Sequence, residues 1–272
     1  MAVLHPGQMG AAIGAQVRRS GAHVFWYPAG RSDATRRRAD MAGLTPAADL
    51  AELADNVDVL LSICPPAAAE NLANRVAETG YQGIYVDANA ISPARAQRIA
   101  TVLETAGARF IDAAIIGPPP TGAATARLYL AGDHADRVAS RFSGTAVEAV
   151  VLNGPVGAAS GLKMAYASFQ KASRALAAVA HALAAEHDVV DQLVAEAQRN
   201  SRTPLADPDY LPSVAARAWR WAPELHDVAD SLADANLPPH LAVAAAEVLQ
   251  RWVGDKDTDL SLAEVLDHLR DA

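Results

Sequence analysis

Lys163 stands inside an otherwise apolar stretch, Ala158-Ala159-Ser160-Gly161-Leu162-Lys163-Met164-Ala165-Tyr166-Ala167. The chain overwhelmingly chooses arginine for its cations: of 23 lysines and arginines, only Lys163, Lys171 and Lys256 are lysines. An arginine cannot release its proton near neutral pH, whereas a desolvated lysine amine can. A lysine in these surroundings is therefore a candidate proton donor and acceptor. On a helix, Tyr166 and Gln170 share its stripe, one and two turns along, and add a phenol and an amide. The competing reading is a lysine that snorkels from a buried helix to water. Lys171, turned about 80° away by helical spacing, reads as a structural or supporting residue.

A second set of residues lies at the front of the chain. Met1-Ala2-Val3-Leu4 runs into His5-Pro6-Gly7-Gln8-Met9-Gly10 and then into an alanine-rich helix expected from Gly10 to Arg19. Such a turn cradles a pyrophosphate: Gly7 lets the backbone come close, and the helix start presents free N–H groups and a positive dipole end. Measured against the dinucleotide fingerprint G-x-G-x-x-G, His5 occupies the first glycine. An ordinary strand-to-helix turn is the alternative, but a second strand at His23–Tyr27 supplies the context the motif requires. Domains that prefer NAD carry an acid at the end of that strand for the ribose 2′-hydroxyl. Here the segment reads Tyr27-Pro28-Ala29-Gly30-Arg31-Ser32, with no acid before Asp33. Arg31 and Ser32 offer a guanidinium fork and a hydroxyl, which suit a 2′-phosphate, and Arg36 follows a turn later. The expected cofactor is NADPH, with Pro6, Gly7, Gln8, Met9 and Gly10 on its pyrophosphate. Arg37 and Arg38 read as a solvated helix face.

These residues need a scaffold. Strand and helix patterns alternate through residues 1–153, as in a doubly wound, mostly parallel α/β sheet. Apolar runs at Asp58–Cys64, Gly83–Asp87, Arg109–Ile116, Arg127–Gly132 and Ala149–Leu152 read as strands, and Ser92-Pro93 as a helix N-cap followed by a first-turn proline. Ligands sit beyond the carboxyl ends of such strands. The loops carrying Cys64, Pro65 and Pro66, then Asn89, then Ile116, Gly117 and Pro118 are thus expected to meet nicotinamide and substrate. Residues 154–272 read as an all-helical second domain. Its helices are expected at 157–187, 189–200, 211–221, 224–235, 239–253 and 261–269. The first is apolar over most of its circumference, and the remaining helices are too slight to cover it, which points to a homodimer.

The formal net charge is −8 with scattered basic residues, which disfavours nucleic acid. Cys64 is the one cysteine, so neither an intramolecular disulfide nor a cysteine-based zinc site is expected, and no metal is invoked. No apolar run approaches the roughly 20 residues of a membrane span. With a strand starting at Met1 and no room ahead of it for a signal peptide, the expectation is a cytoplasmic enzyme with a small-molecule substrate.

The order of these motifs resembles the β-hydroxyacid dehydrogenases, the superfamily of 3-hydroxyisobutyrate and 6-phosphogluconate dehydrogenases. The resemblance implies a Rossmann domain joined by a long helix, bearing a catalytic lysine, to an all-helical domain. Asp87-Ala88-Asn89-Ala90-Ile91-Ser92-Pro93 matches a D-x-S-T-x-x-P pattern, and Asp112–Gly117 matches D-A-P-V-S-G. Gly157 to Lys163 matches the lysine motif, which implies that Lys163 is the catalytic residue. Within the superfamily the chain is most similar to a poorly characterised bacterial branch whose C-terminal domain has no assigned function. It departs from the family where substrate carboxylate is held: Asn89 replaces a serine, Ala90 a threonine, Ile116 another serine, and Tyr166 or Ala167 an asparagine. The expectation is hydride exchange between NADPH and a carbonyl or its alcohol, on a substrate bulkier or less polar than a small hydroxy acid. Lys163 and Tyr166 are the catalytic candidates. Asn89, Ile116, Gly117, Pro118 and Gln170 join them against substrate. An imine reductase is the alternative enzyme, and a non-catalytic NADPH-binding or redox-sensing protein the alternative class.

Overall fold

The structure is a computed structural model describing residues 1–186, 188–199, 208–234 and 239–270. The chain divides into two compact units, Met1–Lys163 and Met164–Ala272. The sequence reading put the junction at 153/154. These two compact units meet inside the long helix, whose first turns are bonded to the sheet.

In the first unit, β1 (Ala2–Val3), β2 (Phe25–Trp26), β3 (Thr45–Pro46), β4 (Val59–Ser62), β5 (Ile84–Asp87), β6 (Arg109–Ile116), β7 (Ala126–Ala131) and β8 (Val147–Val151) form one sheet. Their order is β3-β2-β1-β4-β5-β6-β7-β8. All neighbours are parallel except β6 and β7. That exception follows from the connection: Gly117 to Thr125 contains no crossover helix, and a parallel pair needs one. Alternate residues feed opposite faces. Val3, Leu61, Val86 and Ile111 join one core, while Leu4, Leu60, Tyr85 and Phe110 join the other. Helices α1 (Gln8–Arg19), α2 (Asp33–Met41), α3 (Leu50–Asn56), α4 (Ala69–Ala77), α5 (Pro93–Thr105) and α6 (Ala135–Ala139) flank the sheet. The doubly wound fold expected from the sequence is therefore present. Register aligns Ser62 with Asp87 and Asp87 with Asp112, so three polar side chains lie abreast across neighbouring strands.

The long helix α7 (Ala158–Glu186) begins in this unit and continues into the second. There follow α8 (Val190–Arg199), α9 (Leu211–Asp234), α10 (His240–Gln250) and α11 (Leu262–His268). The expected helix ends at His187, Asn200 and Ala235 lie outside the described residues. One expectation is corrected: 211–221 and 224–235 are one helix, α9, with Pro223 inside it. A proline removes one backbone hydrogen bond. Here Ala222, Glu224 and Leu225 on either side are buried, and their packing holds the helix through the break. Buried Trp252 donates its indole N–H to the Val265 carbonyl oxygen at 2.7 Å, and Ser261 and Glu264 close a capping box at the start of α11. Among the described residues no helix is long and apolar enough to cross a membrane.

Candidate functional site

The glycine turn is built by close approach. A methyl group placed on Gly10 would lie 2.3 Å from the His5 carbonyl oxygen, so only glycine lets α1 start this near β1. No side chain caps α1 and no acid lies in its first turn. Its leading N–H groups therefore face no competing side-chain acceptor, the arrangement that receives a phosphate anion. Pro6 and Gly10 are buried, Gly7 and Met9 half-buried, and Gln8 exposed.

Arg31 reaches back to this turn and donates from Nη2 to the Leu4 carbonyl oxygen at 3.1 Å. It also lies over the Tyr27 ring, on which Arg75 packs as well. Ser32 caps α2, its Oγ accepting from the Thr35 N–H. Arg36 is exposed and donates to the Pro28 carbonyl oxygen at 3.2 Å. Arg37 is exposed as expected, but the reading of Arg38 as a solvated residue is corrected. Arg38 is half-buried, donates to Thr35 Oγ1, and its charge acts on His5. Burial, then Arg31 and Arg38, push the His5 imidazole down to about 4.

At the carboxyl ends of β4 and β5 lies a closed polar network. Asn89 is only 2% exposed. Its Oδ1 accepts from the Cys64 N–H at 2.6 Å, and its Nδ2 donates to Ser62 Oγ at 2.9 Å. The Asn89 N–H donates to Asp87 Oδ1 at 2.9 Å. Asn89 thus spends its amide inside the protein, fixing the backbone ahead of Pro65 and Pro66. From α5, Arg95 donates to the Pro66 carbonyl oxygen at 2.8 Å. Burial, with a lesser push from Asp112, raises Asp87 to about 7, against the pull of the Asn89 hydrogen bonds and Arg95. Burial also pushes the Cys64 thiol up to about 11, with Asp87 adding to it.

Asp112, fully buried on β6, organises the start of α7. Its carboxylate accepts from the N–H groups of Gly157 and Ser160 at 2.9 and 3.0 Å and from Ser160 Oγ at 2.5 Å. This caps the helix from a distant strand. One turn on, Lys163 donates from Nζ to the Ile115 carbonyl oxygen at 3.0 Å. Its amine therefore lies at the end of β6, beside the loop of Ile116, Gly117 and Pro118. Ile116 is buried, whereas Gly117 and Pro118 are exposed. Gln16 pins the far end of that loop, donating to the Pro120 carbonyl oxygen at 2.7 Å and accepting from the Ala146 N–H. The sequence reading assigned no role to Gln16, Ser62, Asp112 or Ser160. An amide on the inward face of an alanine-rich helix was the available signal for Gln16.

In the helical unit, Tyr166 is 43% exposed, and Gln170 accepts from Arg174 through both its carbonyl and its side-chain oxygen. Lys171 and Glu224 form a buried ion pair, with the Lys171 amine 5.8 Å from the Trp221 ring centre.

Residues 1–141 match the family described as the NAD binding domain of 6-phosphogluconate dehydrogenase. Residues 184–252 match a domain of unknown function (DUF1932). An uncharacterised 28.5 kDa protein of Methanothermus fervidus is 28% identical over 167 residues, covering 61% of this chain and 63% of that one. Among solved structures, the conserved protein MTH1747, described as structurally similar to 3-hydroxyacid dehydrogenases, is 26% identical. That match covers 93% of this chain and 98% of the other with a TM-score of 0.68. The 3-hydroxyisobutyrate dehydrogenase of Mycobacterium tuberculosis shares the fold at 20% identity, covering 99% and 98% with a TM-score of 0.76.

Proposed function

Since the chain belongs to the family of the NAD binding domain of 6-phosphogluconate dehydrogenase, we propose that it is an NADPH-dependent oxidoreductase acting on a carbonyl or its alcohol. The observation that carries this reading is Lys163, whose amine is held at the end of β6 by a hydrogen bond to the Ile115 carbonyl oxygen.

The residues present fit a dinucleotide. Gly10 lets α1 start close against β1, Gly7 adds no side chain to the turn, and the uncapped start of α1 is the place for the pyrophosphate. Arg31 and Arg36 are the guanidinium groups for the 2′-phosphate, with the Ser32 hydroxyl between them. The Cys64 to Pro66 backbone, held by Asn89 and Arg95, forms a rigid wall for the nicotinamide end. A bound nicotinamide supplies hydride exchange with a substrate carbon. Lys163 then gives the developing alkoxide its proton in reduction, or takes the hydroxyl proton in oxidation, a contribution of about 10²–10⁴ in rate. Its tether to Ile115 fixes where the amine stands before substrate arrives. Tyr166, one turn along the same helix, is the second proton-donor candidate. With Asn89 turned inward and Ile116 apolar, neither of these two positions offers a side chain to hold a small carboxylate. A bulky, less polar carbonyl compound is the substrate class that fits.

The test is a panel of aldehydes, ketones, cyclic imines and hydroxy acids, followed by NADPH absorbance. Turnover of carbonyls supports the proposal, whereas turnover of cyclic imines alone overturns it in favour of imine reduction. NADPH binding without turnover of any class would make the chain a binding protein. Arg31→Ala separates the cofactor choice: it should weaken NADPH by about 1.5–3 kcal/mol, the range for a hydrogen bond to a charged group, and leave NADH nearly unchanged.

A further inference from the structure

We propose that His5 is a recognition residue for the 2′-phosphate of NADP(H), taking up a proton as that phosphate docks beside it. The inference rests on the NADPH reading above and adds a proton to it.

His5 occupies the fingerprint position where a glycine would bring no side chain. Its ring lies along the turn: a methyl group on Gly7 would be 3.6 Å from Cδ2 and 3.7 Å from Nε2. The His5 carbonyl is wedged against Gly10, so its backbone is fixed relative to α1. Arg31 bonds the carbonyl oxygen of Leu4, the residue immediately before it. The charged groups acting on His5 are Arg31, from the loop ahead of α2, and Arg38, from α2 itself. Cys64, Tyr27 and Arg75 in turn act on Arg31.

Among the described residues, the charged groups acting on His5 are these two cations, with no carboxylate among them. His5 Nδ1 and the Nε atoms of Arg31 and Arg38 are buried without a hydrogen-bond partner. Polar groups buried unmatched are costly, and the two guanidinium groups beside the ring leave a positive charge that an anion complements. In this fold the adenosine ribose lies at the end of the second strand, where Arg31 stands.

The proton follows from the same geometry. Without an anion, burial and the two guanidinium groups hold the imidazole neutral well below its ordinary range. A phosphate dianion offsets both positive charges and favours imidazolium. The proton comes from solvent and forms a second ring N–H on His5, and nothing is oxidised or reduced. NAD, which has the pyrophosphate but not the 2′-phosphate, lacks the group that drives this step.

Calorimetric titration of NADP⁺ and NAD⁺ near pH 7, in buffers of different ionisation enthalpy, reads the proton directly. Wild type, His5→Ala and His5→Gln are compared, the last keeping most of the ring's volume. Near pH 7 the free 2′-phosphate is already mostly a dianion, so the difference between proteins reports chiefly on His5. Wild type should take up about half a proton or more with NADP⁺ relative to both variants, and show no such difference with NAD⁺. The NADP⁺ to NAD⁺ affinity ratio should fall about tenfold in each variant, the size of one hydrogen bond to a charged group. If NADP⁺ is preferred and lost on Arg31→Ala, yet uptake is the same in wild type and variants, the His5 proposal alone is overturned. If wild type binds both cofactors equally and Arg31→Ala changes neither, the NADPH reading falls and takes this proposal with it.

Discussion

Lys163 Nζ and the Ile115 carbonyl oxygen are 3.0 Å apart, which ties the amine of α7 to the end of the β6 backbone. The tether is specific to a point-like ammonium or amine. A guanidinium is planar and larger, and it cannot exchange a proton at neutral pH. Lys163→Ala should therefore lower single-turnover hydride transfer by about 10²–10⁴-fold, the usual worth of general acid–base catalysis. Lys163→Arg should fare almost as badly, while NADPH affinity in both variants stays within a few-fold of wild type. Near-wild-type rates in the arginine variant would assign the proton to another group, with Tyr166 the first to examine.

Asp87 and His5 make opposite contributions to stability over the same pH range. Asp87 is raised from 3.8 to about 7, so between those values the folded state holds a proton the unfolded state has lost. Its contribution to stability falls as pH rises. His5 is lowered from 6.5 to about 4, so its contribution rises over nearly the same interval. Asp87→Asn removes the first effect and leaves the second. The melting temperature of that variant should climb more steeply than wild type's between about pH 4.5 and 6.5. Superimposable profiles would show that Asp87 does not titrate in this window.

Lys171 and Glu224 form their ion pair with both side chains about 10% exposed. Glu224→Leu takes away the carboxylate paired with the buried Lys171 amine and should cost about 3–5 kcal/mol. Replacing both with apolar residues, Lys171→Met with Glu224→Leu, should recover most of that loss, because two desolvation penalties vanish together. Urea denaturation measures both. A double variant no more stable than the single one would mean that the pair's hydrogen bonds outweigh its desolvation.

Tyr166 and Phe169 on α7 are 43% and 69% exposed, an apolar surface that a second copy of the chain would cover. We propose a homodimer formed through the helical half. Sedimentation at micromolar concentration should give twice the chain mass, and Phe169→Glu should shift it towards monomer. A compact wild-type monomer would refute the assignment.

The sequence by itself determined whatever depends on local geometry. The β6 run Arg109–Ile116 and the Ser92-Pro93 start of α5 are both present as read, because apolar patterning and capping act over a few residues. The glycine turn was legible for the same reason, since its demand for close approach is local. Pro223 was legible as a breaker, but the buried neighbours that overrule it were not. Tertiary structure alone decided the polar wiring of the site. Asn89 reads as a substrate or cofactor contact, yet the parallel register of Ser62 with Asp87 turns its amide inward onto Ser62 and Cys64. Arg38 reads as solvated, yet α2 packs it towards His5. Asp112 caps a helix that starts far along the chain, and Gln16 holds a loop more distant still. Hydrogen bonds between residues so far apart leave no periodic trace in the chain. They exist only once the sheet has set strand ends side by side.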